Sequence, residues 1–175
     1  MPERIEYSRK HDLGRFNPNT VWTEEYVLLG NLNRMLVYVE GEAGDEYINV
    51  DVVSLDYNRL GYKRIMEIQL SRKKNSYIVD ISRIDSKFQG FGIAPQVYRY
   101  LLRKLSIVLQ AGEVQSPGGR SIWARMADMS GINLMALDGR KNHYDVEADD
   151  GELIADGVKL YDGPKRMRLF AYANM

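Results

Sequence analysis

The chain has 175 residues, 45% of them hydrophobic, with 24 basic side chains balancing 24 acidic ones. That is enough apolar material for the core of one ordinary domain, and there is no net field to draw the chain onto nucleic acid or an anionic membrane. Cysteine is absent, which excludes a disulfide framework, thiolate metal sites and a cysteine nucleophile together.

No apolar run reaches the roughly eighteen residues of a spanning helix, and the opening Met1-Pro2-Glu3-Arg4-Ile5-Glu6 is charged, so a soluble cytoplasmic protein is expected. Residues 1–20 are polar and carry Gly14 and Pro18, which predicts an irregular arm ahead of a single domain over 21–175. Thr23 to Leu29, Met35 to Glu40, Tyr47 to Leu55 and Arg64 to Leu70 are strand candidates, with turn material at Gly41 to Asp45 and at Asp56-Tyr57-Asn58. Thr23 to Leu32 is also the one weak helix candidate of this half. The polar Ser71 to Ser76 reads as a hairpin connector to a further strand, Tyr77 to Ile84, rich in β-branched and aromatic residues.

Helical spacing begins after Gly92. Ile93, Val97, Leu101 and Leu105 fall four apart, with Gln96, Arg99, Arg103 and Lys104 on the other side. Ser106 to Gln110 predicts another strand, and Ser116-Pro117 a helix cap followed by proline in the first turn. From Tyr144 to Glu152 acid is concentrated, which is ordinarily a solvated loop. Leu153 to Ala155, Val158 to Tyr161 and Met167 to Tyr172 then read as short strands, with Asp162-Gly163-Pro164 as a turn.

The junction between strand and helix is the most informative segment. Gln89-Gly90-Phe91-Gly92-Ile93-Ala94 places two glycines where the backbone can approach a ligand, directly before a helix whose first turn offers unpaired N–H groups and the positive end of its dipole. It is not a Walker loop, which needs Gly-Lys-Ser or Gly-Lys-Thr where this chain has Gly92-Ile93-Ala94, and it lacks the third glycine of a dinucleotide fingerprint. The structural alternative is that the glycines only permit a tight turn.

Gln89, Gly92 and Ala94 match the Arg/Gln-x-x-Gly-x-Gly/Ala signature, and the segment resembles the GCN5-related N-acetyltransferase (GNAT) family. The later Ser116-Pro117-Gly118-Gly119 to Ile122-Trp123 looks most like acetyltransferase-like proteins of bacteriophages, which would place the protein in a host cytoplasm. The resemblance runs from about Tyr77 to Asp138. It implies an α+β fold with a central mixed, mostly antiparallel twisted sheet, splayed between its fourth and fifth strands and flanked by helices. It implies acetyl-CoA as cofactor, with the pantetheine arm along Ser82, Arg83 and Ile84. The pyrophosphate would rest on the amides of Gly90, Phe91, Gly92, Ile93 and Ala94, beside Gln89. Gln89 stands where many relatives have arginine and brings no charge, so Lys87, Arg99 and Arg103 are candidates to neutralise phosphate.

Acetyl transfer to an amine needs a base, because an amine with a pKa near about 10.4 arrives charged. Asp80 and Glu67 are the candidates, Asp80 on the same strand face as Ser82 by parity. The family's usual proton donor is a tyrosine on the helix after the fifth strand, where this chain has Trp123. An indole N–H does not surrender its proton near neutral pH, which leaves Ser121 or Tyr144, release of the thiolate itself, or lost catalysis. His11 and His143 are too few for a catalytic zinc site. The acceptor would be a primary amine on a small molecule, a protein N-terminus or a protein lysine, a host protein included, and the acidic segment would favour such a cation. The alternative is an inactive fold kept as a binding or structural module. A homodimer through sheet edges stays open.

Overall fold

A computed structural model describes residues 23–27, 35–54, 63–90, 92–112, 115, 117–160 and 167–174. The predicted arm, Phe91, Ser116 and the turns at 56–58 and 162–164 lie outside the described residues. Eleven strands are defined: β1 (Thr23–Val27), β2 (Met35–Glu40), β3 (Tyr47–Ser54), β4 (Lys63–Lys73), β5 (Ser76–Ile84), β6 (Leu109–Gln110), β7 (Ile132–Leu137), β8 (His143–Asp149), β9 (Glu152–Ala155), β10 (Val158–Lys159) and β11 (Arg168–Ala173). They join in the order β1-β2-β3-β4-β5-β6-β11-β7-β8-β9-β10. Every neighbouring pair is antiparallel except β5 with β6. Among the described residues two α-helices, α1 (Ile93–Leu105) and α2 (Pro117–Ala127), complete an α+β fold.

Alternation along the strands builds the core. Val37 and Val39 of β2, Ile48, Val50 and Val52 of β3, and Met66, Ile68 and Leu70 of β4 are buried in one cluster with Val97, Tyr98, Leu101 and Leu102 of α1. Each fully buried aliphatic side chain contributes about 1.5–3 kcal/mol, so this face fixes where α1 lies and hence where the glycine junction sits. α2 packs against α1 and the strands of the C-terminal half, through Trp123, Ala124 and Met126.

Several expectations are corrected. Of the two readings of the first segment the strand holds and the weak helix does not, Thr23–Val27 pairing with β2. The hairpin connector shrinks from six residues to Lys74-Asn75, with Lys74 at φ 56, because pairing extends through Ser71↔Ile78, Arg72↔Tyr77 and Lys73↔Ser76. Ser106 does not open a strand but ends α1 in the left-handed region, leaving β6 two residues long. The acidic stretch is not a loop. β8 and β9 form a hairpin through it, burying Val146, Leu153 and Ala155 while Asp145, Glu147, Asp149 and Glu152 remain exposed. β7, to which the sequence pattern assigned no strand, lies beside β11, and β11 inserts between it and β6.

Candidate functional site

The feature that opens a site is a divergence of two parallel strands. β5 and β6 pair only at Tyr77↔Leu109 and Ile78↔Gln110, so Val79–Ile84 runs on with no strand on that side among the described residues. The closed end is pinned by the Tyr77 N–H donating to the Val108 carbonyl at 2.8 Å and by the Ser76 hydroxyl donating to Gln110 Oε1 at 3.3 Å. The expected splay is present, and in this chain's own numbering it falls between β5 and β6. An exposed row of main-chain donors and acceptors is a template for an extended partner.

Beyond Ile84 the chain turns through Ser86–Phe88, where buried Asp85 accepts from the Lys87 N–H at 3.0 Å, and Gln89 Nε2 donates back to the Ile84 carbonyl at 3.5 Å. The Gln89 contact is long enough to be weak. Gly90 and Gly92 both take positive φ, 82° and 72°. The backbone alone therefore accounts for both glycines, and support for a ligand comes from their surroundings. Among the described residues, a Cβ on Gly90 would meet no atom within 4 Å, and one on Gly92 would meet only Arg125 Nη1, at 3.7 Å. Gly92 is the N-cap of α1 and supplies no side-chain hydrogen bond to the first turn. The N–H groups of Ile93 and Ala94, in a first turn where Pro95 has none to offer, thus face the junction beside an exposed guanidinium.

Arg125 was not anticipated. It lies on α2, far away in sequence, and only the packing of α2 on α1 brings it to Gly92; among the described residues it pairs with no carboxylate. Arg103, by contrast, sits about 15 Å along α1 from its start and covers Gly131, where any Cβ would collide with the guanidinium. With Lys104 it stands in the last turn, where cations suit the helix dipole.

The catalytic candidates separate onto different surfaces. In the β4–β5 register Gln69 pairs with Ile81 and Leu70 with Val79, so Asp80 is an unpaired bulge residue just beyond the last β5–β6 pair. The bulge breaks the parity that would put Asp80 and Ser82 on one face. Ser82, opposite buried Ile68, instead shares a face with Val79 and Ile84, and its Oγ accepts from the Tyr98 hydroxyl at 2.8 Å. Burial pushes the Tyr98 phenol up to about 12.

Glu67 lies on the other face. Its carboxylate is 3.6 Å from Arg83 Nε, and the cross-strand row Tyr38, Asp51, Glu67, Arg83 continues toward Arg64, whose Nε lies 2.8 Å from Asp51 Oδ1. Burial pushes Asp51 up to about 6 against the pull of Arg64, with Glu67 and Glu40 adding to the rise.

Trp123, ruled out as a proton donor, is a core residue at 5% exposure. The Tyr144 hydroxyl is committed to Asp138 Oδ2 at 3.2 Å, and burial first, then Asp138, raises its pKa. Ser121 is exposed on α2, one turn before Arg125 and on the same helix face.

No family model matches the chain, and no curated protein matches it. Among solved structures it is similar to a protein of Bacteroides thetaiotaomicron described as a GNAT-family acetyltransferase, at 14% identity and a TM-score of 0.37. The alignment covers 76% of this chain and 65% of that one, so the chain spans under two thirds of that protein's length. Among the described residues no helix is long and apolar enough to cross a membrane.

Proposed function

We propose that the protein is an acetyl-CoA-dependent N-acetyltransferase acting on a primary amine. The observation that carries this is the unpaired edge of β5 from Val79 to Ile84, leading directly into the Gly90–Gly92 turn and the uncapped start of α1. An acyl carrier that is a flexible amide-bearing arm ending in a pyrophosphate fits both halves. Its amides continue the sheet along Ser82, Arg83 and Ile84, and its phosphates meet the open N–H groups of Ile93 and Ala94. Gln89 brings no charge, and Arg125 supplies it.

The carrier contributes the activated thioester, and the chain's residues position it and manage protons. Asp80 stands at the apex of the split and takes the proton of the incoming ammonium, directly or through water. The free amine would then attack the thioester carbon, a C–N bond forming as the C–S bond breaks, with the second proton of the acylated nitrogen passing to water and the carrier leaving as a thiolate, tolerable for a thiol with a pKa of about 8.5. Glu67, engaged with Arg83 on the opposite face, orders the sheet beneath. The burial of Trp123 favours a second reading, in which the fold binds a partner without chemistry.

Titration calorimetry with acetyl-CoA tests the first proposal. Micromolar binding by the wild type and loss of heat with Gly92→Trp are expected, with a thermal melt confirming that the variant folds, since a side chain at φ 72° is strained. Absence of wild-type binding would leave only the binding module.

A further inference from the structure

The hydroxyl pair between α1 and β5 goes beyond cofactor binding. Tyr98 is 3% exposed, and its phenol proton is spent on Ser82 Oγ at 2.8 Å. A phenylalanine would fill the same volume without a polar atom to satisfy, so the hydroxyl brings to the core a group that must keep a partner. That partner is on the exposed stretch of β5, beyond its last contact with β6, and Ser82 is the only hydroxyl there from Val79 to Ile84.

Two details give the pair a direction. First, the bulge at Asp80 is what turns Ser82 toward α1. In an unbroken strand Ser82 would share a face with Ile78 and point away from Val79, whereas here Val79 and Ser82 lie on one face though three residues apart. Second, because Ser82 Oγ accepts from Tyr98, its own proton points elsewhere, and among the described residues the hydroxyl donates to nothing. A hydroxyl that accepts one hydrogen bond is a stronger donor of the next. Among the described residues the buried Tyr98 hydroxyl has no other acceptor, so its proton goes to Ser82 and the chain of hydrogen bonds runs from Tyr98 to Ser82 and outward.

We propose that Ser82 Oγ–H, oriented by Tyr98, donates to the thioester carbonyl oxygen of the acyl carrier laid along β5, making Ser82 a catalytic residue and Tyr98 its positioning residue. This rests on the function proposed above. As the amine attacks, the carbonyl π electrons move to that oxygen and the Ser82 bond strengthens without transferring its proton. When the C=O re-forms and the C–S bond breaks, the hydroxyl is unchanged and ready for a second turnover.

Isotope-edited infrared spectroscopy of acetyl-CoA labelled with carbon-13 at the carbonyl, bound to the full chain, reads this bond directly and needs no acceptor. Ser82→Ala should raise the carbonyl stretching frequency of the bound cofactor, Tyr98→Phe should raise it part of the way, and Ser82→Thr should leave it at the wild-type position. A packing role for the pair would lower thermal stability without moving the band. Binding with an unmoved band in Ser82→Ala overturns this assignment alone; no binding by the wild type overturns it together with the proposed function.

Discussion

In the proposed function Arg125 supplies from α2 a charge that the glycine junction itself lacks. The glycine junction carries Gln89 where a cation would help hold phosphate, and the guanidinium that reaches Gly92 comes from α2. An exposed charge-assisted contact is worth on the order of 1 kcal/mol, so Arg125→Gln should weaken acetyl-CoA binding about fivefold at low salt and less at high salt. Adding Gln89→Arg to that variant should restore most of the loss. Calorimetry at two ionic strengths checks both, and an affinity indifferent to Arg125 would return the task to Lys87 or Arg99. At this scale the junction was legible because Gln89, Gly90, Gly92 and Ala94 act through a local turn whose chemistry is written in adjacent residues. The placements of Arg125 and Tyr98 were not legible, because nothing local marks a side chain whose neighbour is brought to it only when α2 packs on α1 or α1 packs on β5. Asp80 was legible as a residue but not in its orientation, since a bulge adds one residue and undoes parity from that point on.

Between residue and molecule lies the β7–β8 hairpin, where a single side chain closes the connection. Asp138 is buried and accepts from the backbone N–H groups of Arg140 and Asn142, from Asn142 Nδ2 and from the Tyr144 hydroxyl. The Asn142 backbone bond is the main cause holding its carboxyl below the usual aspartate range, with the Asn142 amide, Arg140 and Tyr144 adding to it against the cost of burial. A folded-state pKa below the unfolded one, about 3.9, means that the carboxylate's contribution is fully present above that value and is lost as pH falls through the folded value. Asp138→Asn should therefore lower the melting temperature by a few degrees at pH 7, and the gap from wild type should narrow as pH drops below about 4. Melts across that range read it, and a gap constant with pH would mean that shape rather than charge closes the turn. The hairpin escaped the sequence pattern for a related reason. β8 pairs with β7 through His143–Asp145 and with β9 through Val146–Asp149, so its apolar residues are sparse and its acidic ones alternate outward. A strand with one solvated face can look like a charged loop.

Across the whole molecule, stability is distributed around an opening rather than uniformly. The sheet is continuous from β1 to β10, yet at its centre the β5–β6 connection consists of two residue pairs, and the buried face of α1 carries much of the burden of joining the two halves. A ligand that continues β5 would add main-chain hydrogen bonds where the sheet has fewest, so its binding should be visible both as global stabilisation and as a local change. At a concentration one hundred times Kd, linkage gives about 2.7 kcal/mol, which for a chain of this size raises the melting temperature by roughly 5–10 °C. Hydrogen exchange should slow at the amides of Val79 to Ile84 that face the split and at Gly92, Ile93 and Ala94, while the C-terminal turn of α1 and the outer strands β1 and β10 stay as they were. Alternate protection along β5 is the diagnostic part, because an extended partner bonds to every second residue of an edge. Uniform protection along β5 would mean that the ligand only tightens the core, and protection centred on β1 or β10 would place the binding edge elsewhere and remove the reason for assigning chemistry to the split.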